Sequence, residues 1–253
     1  FLIQKIFIKY RKFDDFNHRT SHKTLATKTG GISIFCCLFL ITFIYYFKGE
    51  ELFDFSILIP LSIMFIVGVY DDFYEADFKL KFLLQIIVAK IIIDQGYVID
   101  SFQGIFGIYE LPWVFAQLFT TFVFLVIVNA YNFIDGIDGL AISEIIKIIL
   151  IIELISINNS SLFSLGICLC VIILPLLFYN FKKDNKIFLG DAGSLMLGTL
   201  ISVYVFNVFD ENYLVKNNFN INKGVFSMIL LIYPLTDLLR VFIIRIYNKK
   251  SPF

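Results

Sequence analysis

Long apolar runs separated by short polar segments form the main pattern of this 253-residue chain. A transmembrane α-helix needs roughly 20 consecutive apolar residues, within a range of about 17 to 25. By this measure the pattern predicts an all-α, polytopic membrane helical bundle with about eight full spans and part of an earlier one. We expect one integral membrane domain over 1–253. The predicted spans are 31–47, 55–70, 80–95, 113–131, 139–157, 161–179, 194–209 and 224–246, with 1–10 as the tail of the earlier span.

The composition agrees with a membrane protein, and the net charge bears on whether the chain binds nucleic acid. Hydrophobic residues make up 58% of the chain and the mean hydropathy is +0.83, whereas soluble domains are nearer about 45–50% apolar. The 21 basic and 21 acidic residues cancel, so net charge indicates no nucleic-acid partner. The lipid bilayer is therefore the expected environment of most of the chain.

Basic residues collect in the loops on one side of the predicted bundle. Lys and Arg are frequent in 5–28, in 182–193 and at the chain end, whereas 96–112 and 156–162 contain neither. The basic side is then expected to be cytoplasmic. Counting spans from there places four segments on that side, which predicts one shared site. The four segments are Asp71-Asp72, 129–138, 182–193 and the chain end.

The segment 129–140 carries the strongest chemical signal. Asn129, Asn132 and Asp135 follow one another in three-residue steps, which drift by only about 60° each, so they can share one helix face. Asp138 adds one more step after Gly136. Ionisable groups at a membrane boundary usually mark a functional site. Amide and carboxylate oxygens suit Mg²⁺, which keeps several waters and bridges substrate phosphates. The alternative is a helix end with Asx turns and glycine caps.

A pair of neighbouring carboxylates, Asp71-Asp72, follows another apolar run. Such a pair at a membrane edge binds a hard cation or shares a proton; the alternative is a solvated loop that ends a helix. Lys81 follows ten residues after Asp71. It either contacts a phosphate or anchors at the headgroups.

A third polar segment, 188–194, lies between a basic loop and a predicted span. Gly190 leaves room for a phosphate near the backbone, and the start of the following helix favours an anion. The alternative is capping alone, with Asp191 or Ser194 as the residue that caps this helix.

These motifs resemble the polyprenyl-phosphate N-acetylhexosamine-1-phosphate transferase family. Its members transfer a sugar-1-phosphate from a UDP-sugar to a lipid phosphate and release UMP. The similarity runs from about residue 17 to the chain end, and 17–22 favours the bacterial glycan-initiating branch. The residues that carry the resemblance are 17–22 with Gly30 and Gly31, 68–72 with Lys81 and Gln85, 129–140, 188–194, Pro234, Asp237 and Arg245.

The resemblance implies a role for each candidate residue. It places Mg²⁺, with Mn²⁺ as the alternative, near Asn132 and Asp191. It makes Asp135 and Asp138 organisers of the nucleotide-sugar site. It directs Asp71 and Asp72 toward the lipid phosphate, one of them as a base, and leaves open which one. The residues implied to bind substrate are Lys81, Asn129, Gly190 and Ser194.

The resemblance also implies partners and a location. We expect UDP-N-acetylhexosamine and undecaprenyl phosphate as substrates, at the cytoplasmic face of a bacterial inner membrane. The oligomeric state stays open, with a homodimer as one alternative. The chain starts at Phe1 and ends before the histidine-rich segment of bacterial members, so we expect a fragment truncated at both ends.

Three other functions remain as alternatives. One is the peptidoglycan-precursor phospho-N-acetylmuramoyl-pentapeptide transferase, a branch of the same family. Another is a cation-coupled transporter, which predicts acidic residues deep within the spans rather than at one edge. The third is an inactive membrane scaffold, which predicts that substitution of Asp135 leaves its function intact.

Overall fold

A computed structural model describes residues 2–9, 26–74, 76–157, 160–182, 186–210, 212–216, 219 and 221–249. The motif at 17–22 lies outside the described residues. Two short strands, β1 (Ala26–Thr27) and β2 (Lys186–Ile187), pair in parallel. The helices are α1 (Leu2–Lys9), α2 (Gly30–Lys48), α3 (Leu58–Tyr74), α4 (Phe78–Asp94), α5 (Trp113–Ile134), α6 (Leu140–Ile155), α7 (Phe163–Asn180), α8 (Gly190–Phe209), α9 (Lys223–Leu230) and α10 (Ile232–Tyr247), with 3-10 turns at Phe55–Ile57 and Ile105–Gly107.

The prediction of an all-α polytopic bundle is confirmed, whereas the number of full spans differs. Within the described ranges, five helical segments are long and apolar enough to cross a membrane, and α9 with α10 makes a sixth if the bent pair is one span. The helices α4 and α6 have 17 and 16 residues, so each rises only about 25 Å. Asp77 caps the start of α4, and Gly139 in the left-handed region precedes α6. These local signals fix where the two helices begin.

The predicted span 224–246 is broken in the structure. The helices α9 and α10 meet at 59° around Leu231. Pro234 has no backbone N–H to donate to the carbonyl of Leu230, and its ring clashes with that carbonyl in a continuous helix. The break therefore follows from Pro234, whereas the apolar pattern alone predicts one continuous helix.

The helix α8 lies at the centre of the bundle. Every residue from Ala192 to Phe209 is buried, as expected for a helix that is hydrophobic all round. It packs against α2, α3, α5, α6 and α9. The N-terminus of α8 carries Asp191, so the packing around this helix decides which groups surround that carboxylate.

Glycines bring the backbones of α2 and α3 against the first turn of α8. A Cβ on Gly31 would overlap the backbone of Gly193, and a Cβ on Gly68 would overlap the backbone of Asp191 and Ala192. Small residues allow this close approach of helix backbones in membrane proteins. The approach positions the end of α3, with its two aspartates, beside the start of α8.

The pairing of β1 with β2 holds the loop before α2 to the loop before α8. The N–H of Gly30 donates to the carbonyl of Phe188 at 2.9 Å, and that of Gly31 donates to Leu189 at 2.8 Å. These bonds satisfy N–H groups that the first turn of a helix leaves without an internal partner. Strands of two residues are too short for hydrophobic periodicity to predict.

We expect Gly31→Ala to lower the free energy of unfolding by roughly 1–3 kcal/mol, because the added methyl meets backbone that cannot move aside. Thermal unfolding of the purified protein in detergent measures this. Gly136→Ala is the matched control, since the nearest atom to its Cβ is the carbonyl oxygen of Phe133 at 3.6 Å. Equal midpoints for the two variants would contradict the close packing of α2 on α8.

Candidate functional site

The four segments predicted to share a site lie at one end of the bundle. The amide of Asn132 donates to the carboxylate of Asp191. Asp72 accepts the backbone N–H of Asp191. The guanidinium of Arg245, near the chain end, lies 5.1 Å from the centre of the Phe133 ring. The prediction of one shared end is therefore confirmed.

Asp72 caps α8 from a neighbouring helix. Its Oδ1 accepts the N–H of Asp191 at 3.1 Å and its Oδ2 accepts the N–H of Ala192 at 3.0 Å. Leu189, the residue before α8, provides no side-chain cap. Both backbone groups belong to the first turn, which has no internal partner for them. Capping of this helix by Asp191 or Ser194, the alternative considered from sequence, is wrong, because the closely packed end of α3 supplies the carboxylate.

Asp71 is held by Lys81 from the next helix. The ammonium lies 2.6 Å from Asp71 Oδ2, and each side chain is 14% exposed. The other carboxylate oxygen accepts the N–H of Ala76 at 2.8 Å. This pair fixes the two ends of the turn between α3 and α4, and it places one positive charge beside the aspartate pair. Lys28 adds a second, 3.5 Å from Asp72 Oδ1.

Asn132 connects α5 to the start of α8. Its Nδ2 donates to Asp191 Oδ1 and, at 2.9 Å, to the hydroxyl of Ser194. Ser194 is 1% exposed. The two residues implied as metal neighbours, Asn132 and Asp191, are therefore hydrogen-bonded to each other. Ser194 accepts a second hydrogen bond from the same amide.

Asp135 follows the last residue of α5 and faces the same carboxylates. Burial raises the pKa of Asp135 well above its ordinary range, and the charges of Asp191 and Asp72 raise it further. The N–H of Gly190 and the ammonium of Lys28 act in the opposite direction. Asp135 thus belongs to a group of crowded negative charges around the first turn of α8.

The remaining predicted residues have other neighbours. Asp138 is 46% exposed and forms an ion pair with Lys186. Asn129 donates to Gln85 Oε1 at 2.9 Å and to the carbonyl of Leu125 at 2.7 Å. It therefore links α5 to α4, one turn before Asn132. Gly190 has a φ of +74°, and a Cβ there would lie 2.8 Å from Asp72 Oδ2.

Sequence reasoning missed three polar residues of this region. Lys28 and Lys186 were counted only as part of the basic loops, although each pairs with a carboxylate of the candidate site. Asn180 directly follows the predicted span 161–179 and has no predicted role, yet it is 3% exposed and both ends of its amide are hydrogen-bonded. A polar amide at the end of an apolar run, just before a basic loop, was the available signal.

Comparison with known proteins decides the family. The sequence model of glycosyl transferase family 4 matches residues 54–208. The chain belongs to this family. It is 32% identical, over 98% of its length and 68% of the relative, to a protein of Bacillus subtilis named probable undecaprenyl-phosphate N-acetylglucosaminyl 1-phosphate transferase. It is 27% identical to a Salmonella typhi protein and 26% to an Escherichia coli K12 protein, both named undecaprenyl-phosphate alpha-N-acetylglucosaminyl 1-phosphate transferase, over 100% of its length and 69% of each relative.

The donor set of this family 4 site suits a cation that shares its ligands with substrate. Among the described residues, no group of three or more His, Cys, Asp or Glu side chains is arranged to hold a metal ion. Mg²⁺ does not need such a group, because it usually binds one or two carboxylates together with substrate phosphates and water. Asp191 supplies one carboxylate, and the Asn132 amide can turn to present its oxygen.

We expect Asp72→Ala to lower the free energy of unfolding by about 1–2 kcal/mol, because two backbone N–H groups of α8 lose their acceptor. Asp72→Asn should lose less, since its oxygen still accepts one of them. Thermal unfolding in detergent measures both. Asp94→Ala is the control, because Asp94 is 61% exposed at the opposite end of the bundle. Capping is refuted if Asp72→Ala unfolds at the same temperature as Asp72→Asn, because both variants remove the same negative charge and only the asparagine keeps an acceptor.

The raised pKa of Asp135 predicts a pH dependence of stability in the absence of divalent cations. The folded chain holds this proton more tightly than the unfolded chain, so stability falls as pH rises from the ordinary value of 3.8 through the raised folded value. Asp135→Asn should remove this loss. Thermal midpoints across that range in EDTA test it, and parallel curves for wild type and variant would show that Asp135 is not crowded by charge.

Proposed function

We propose that this family 4 protein transfers N-acetylhexosamine-1-phosphate from a UDP-sugar to undecaprenyl phosphate and releases UMP. The observation that carries the proposal is the convergence of Asp71, Asp72, Asp135 and Asp191 around the first turn of α8, at one end of a membrane bundle. The names of the relatives support both the lipid acceptor and the N-acetylglucosaminyl group. The product starts a lipid-linked surface glycan.

The reaction joins two anionic substrates, so charge neutralisation is its main physical requirement. An oxygen of the lipid phosphate attacks the phosphorus that carries the sugar, and the bond from that phosphorus to the UMP oxygen breaks. A phosphate monoester is already largely ionised near neutral pH. Positioning and electrostatic stabilisation then do most of the work in phosphoryl transfer. Strong base catalysis by Asp71 or Asp72 is therefore not needed.

Charge counting supports a divalent cation at this site. The four aspartates carry four negative charges when ionised, and the ammonium groups of Lys28 and Lys81 offset two of them. One Mg²⁺ would balance the other two. Asp191 and Asn132 would hold the ion, and substrate phosphates would complete its shell. When bound, Mg²⁺ stabilises the charge that develops on the transferring phosphoryl group.

The side chains divide the site into two halves. Asp71 and Asp72 belong to α3 and, with Lys28 and Lys81 beside them, form the half proposed to face the lipid phosphate. Asp135 and Asp138, on the turn between α5 and α6, form the half proposed to organise the UDP-sugar. Asp191 lies between them at the start of α8.

The basic loops support placing this end of the bundle at the cytoplasmic face of a bacterial inner membrane. There the headgroup phosphate of undecaprenyl phosphate would lie level with the carboxylates, while its chain stays in the bilayer. The UDP-sugar would approach from the aqueous side. A site at the helix ends, at the membrane edge, is therefore accessible both to a substrate anchored in the bilayer and to a substrate dissolved in water.

We expect Asp135→Asn to lower transfer by about 100-fold or more, because the site loses a carboxylate that would attract the cation and orient the UDP-sugar. The assay combines purified membranes, undecaprenyl phosphate, Mg²⁺ and radiolabelled UDP-N-acetylglucosamine, and measures label in the lipid phase. Asp94→Asn is the matched control, since this exposed aspartate lies at the far end of α4. It should keep wild-type activity.

Three outcomes distinguish the alternatives. Label that requires both Mg²⁺ and Asp135 supports the proposal. Label only with UDP-N-acetylmuramoyl-pentapeptide would assign the chain to the peptidoglycan-precursor reaction. A wild-type chain that labels lipid with neither donor is next given other UDP-N-acetylhexosamines, and continued silence would refute the transferase in favour of the scaffold.

A further inference from the structure

Asn180 connects two segments of the site through one buried amide. It is the last residue of α7 and is 3% exposed. Its Oδ1 accepts the backbone N–H of Gly139 at 2.5 Å, and its Nδ2 donates to the carbonyl of Ile187 at 2.9 Å. The first bond reaches the turn between α5 and α6, and the second reaches β2.

Both backbone partners are close in sequence to site residues. Gly139 directly follows Asp138, and the turn it closes begins at Asp135. Ile187 lies in β2, four residues before Asp191. The ion pair of Lys186 with Asp138 joins the same turn to the same strand. Asn180 therefore lies where the two parts of the site that carry Asp135 and Asp191 meet.

The bonding pattern requires the specific chemistry of asparagine. An amide offers one accepting and one donating end, whereas a carboxylate only accepts. Glutamine has the same groups on a longer chain. An alanine would leave the N–H of Gly139 and the carbonyl of Ile187 without this partner in a buried place, where unsatisfied polar groups are unfavourable.

We propose that Asn180 is a positioning residue for the transfer reaction, which holds the 135–139 turn against β2 and so sets Asp135 relative to Asp191. The inference rests on the proposed function. Its main effect should fall on the half that holds Asp135, although β2 also pairs with β1, next to Lys28. The aspartates of α3 reach α8 through the close packing at Gly68 and through the bonds of Asp72, neither of which involves Asn180.

The test separates the two substrates. Asn180→Ala should raise the KM for UDP-N-acetylglucosamine at least tenfold and leave the KM for undecaprenyl phosphate within about twofold. Asn180→Asp keeps the acceptor for Gly139 but loses the donor for Ile187, so its effect should be intermediate. Each purified variant is also heated with and without UDP and Mg²⁺. The rise in unfolding temperature that these ligands give the wild type should be reduced in both.

Asn207→Ala is the matched control, because Asn207 is a buried amide near the other end of α8 whose Oδ1 contacts the hydroxyl of Ser161 at 3.2 Å. It should lower the unfolding temperature without changing either KM or the ligand-induced rise. If Asn180→Ala behaves like this control, or changes both KM values equally, the positioning role is overturned. If the wild type transfers no sugar, the proposed function fails, and this inference fails with it.

Discussion

The geometry of the site depends on the close approach of α2 and α3 to the first turn of α8. Gly31 and Gly68 permit backbone contact where any side chain would overlap the neighbouring helix. This contact brings Asp72 within hydrogen-bonding distance of the N–H groups at the start of α8. The carboxylate of Asp191 then lies on the same turn. Packing between apolar helices thus fixes the position of charged groups at their ends.

The same arrangement makes crowded carboxylates tolerable at a membrane edge. Asp72 is stabilised by two backbone N–H groups, and Asp71 by the ammonium of Lys81. Positive partial charge at the N-terminus of α8 contributes in the same direction. Asp135 is left with a pKa well above its ordinary range because of burial and the charges of Asp191 and Asp72. A site that holds excess negative charge in this way suits a divalent cation and the phosphates it bridges.

Sequence reasoning predicted the features that depend on local pattern. Apolar runs gave the helices, and counting them placed Asp71, Asp72, Asn132, Asp135 and Asp191 at one end. The hydrogen-bond and ion-pair partners of these residues could not be predicted from local pattern. Asp72 caps a helix that begins 118 residues later in the chain, and such a contact depends on how three helices pack.

Short signals were missed for a different reason. The two-residue strands show no periodicity, and the role of Asn180 depends on two backbone groups, at Gly139 and Ile187, that any sequence would supply. The break before α10 had a visible cause in Pro234. The apolar pattern is continuous there, so hydropathy favoured one straight span over two bent helices.

The most direct test is the binding of Mn²⁺, a spectroscopic substitute for Mg²⁺, to the purified protein in detergent. Electron paramagnetic resonance counts the bound ions in the presence of UDP. The arrangement of carboxylates predicts one Mn²⁺ per chain, with binding weakened at least tenfold in Asp191→Asn and unchanged in Asp94→Asn. Wild-type protein that binds no Mn²⁺, or an Asp191→Asn variant that binds it equally well, would contradict a cation site at the start of α8.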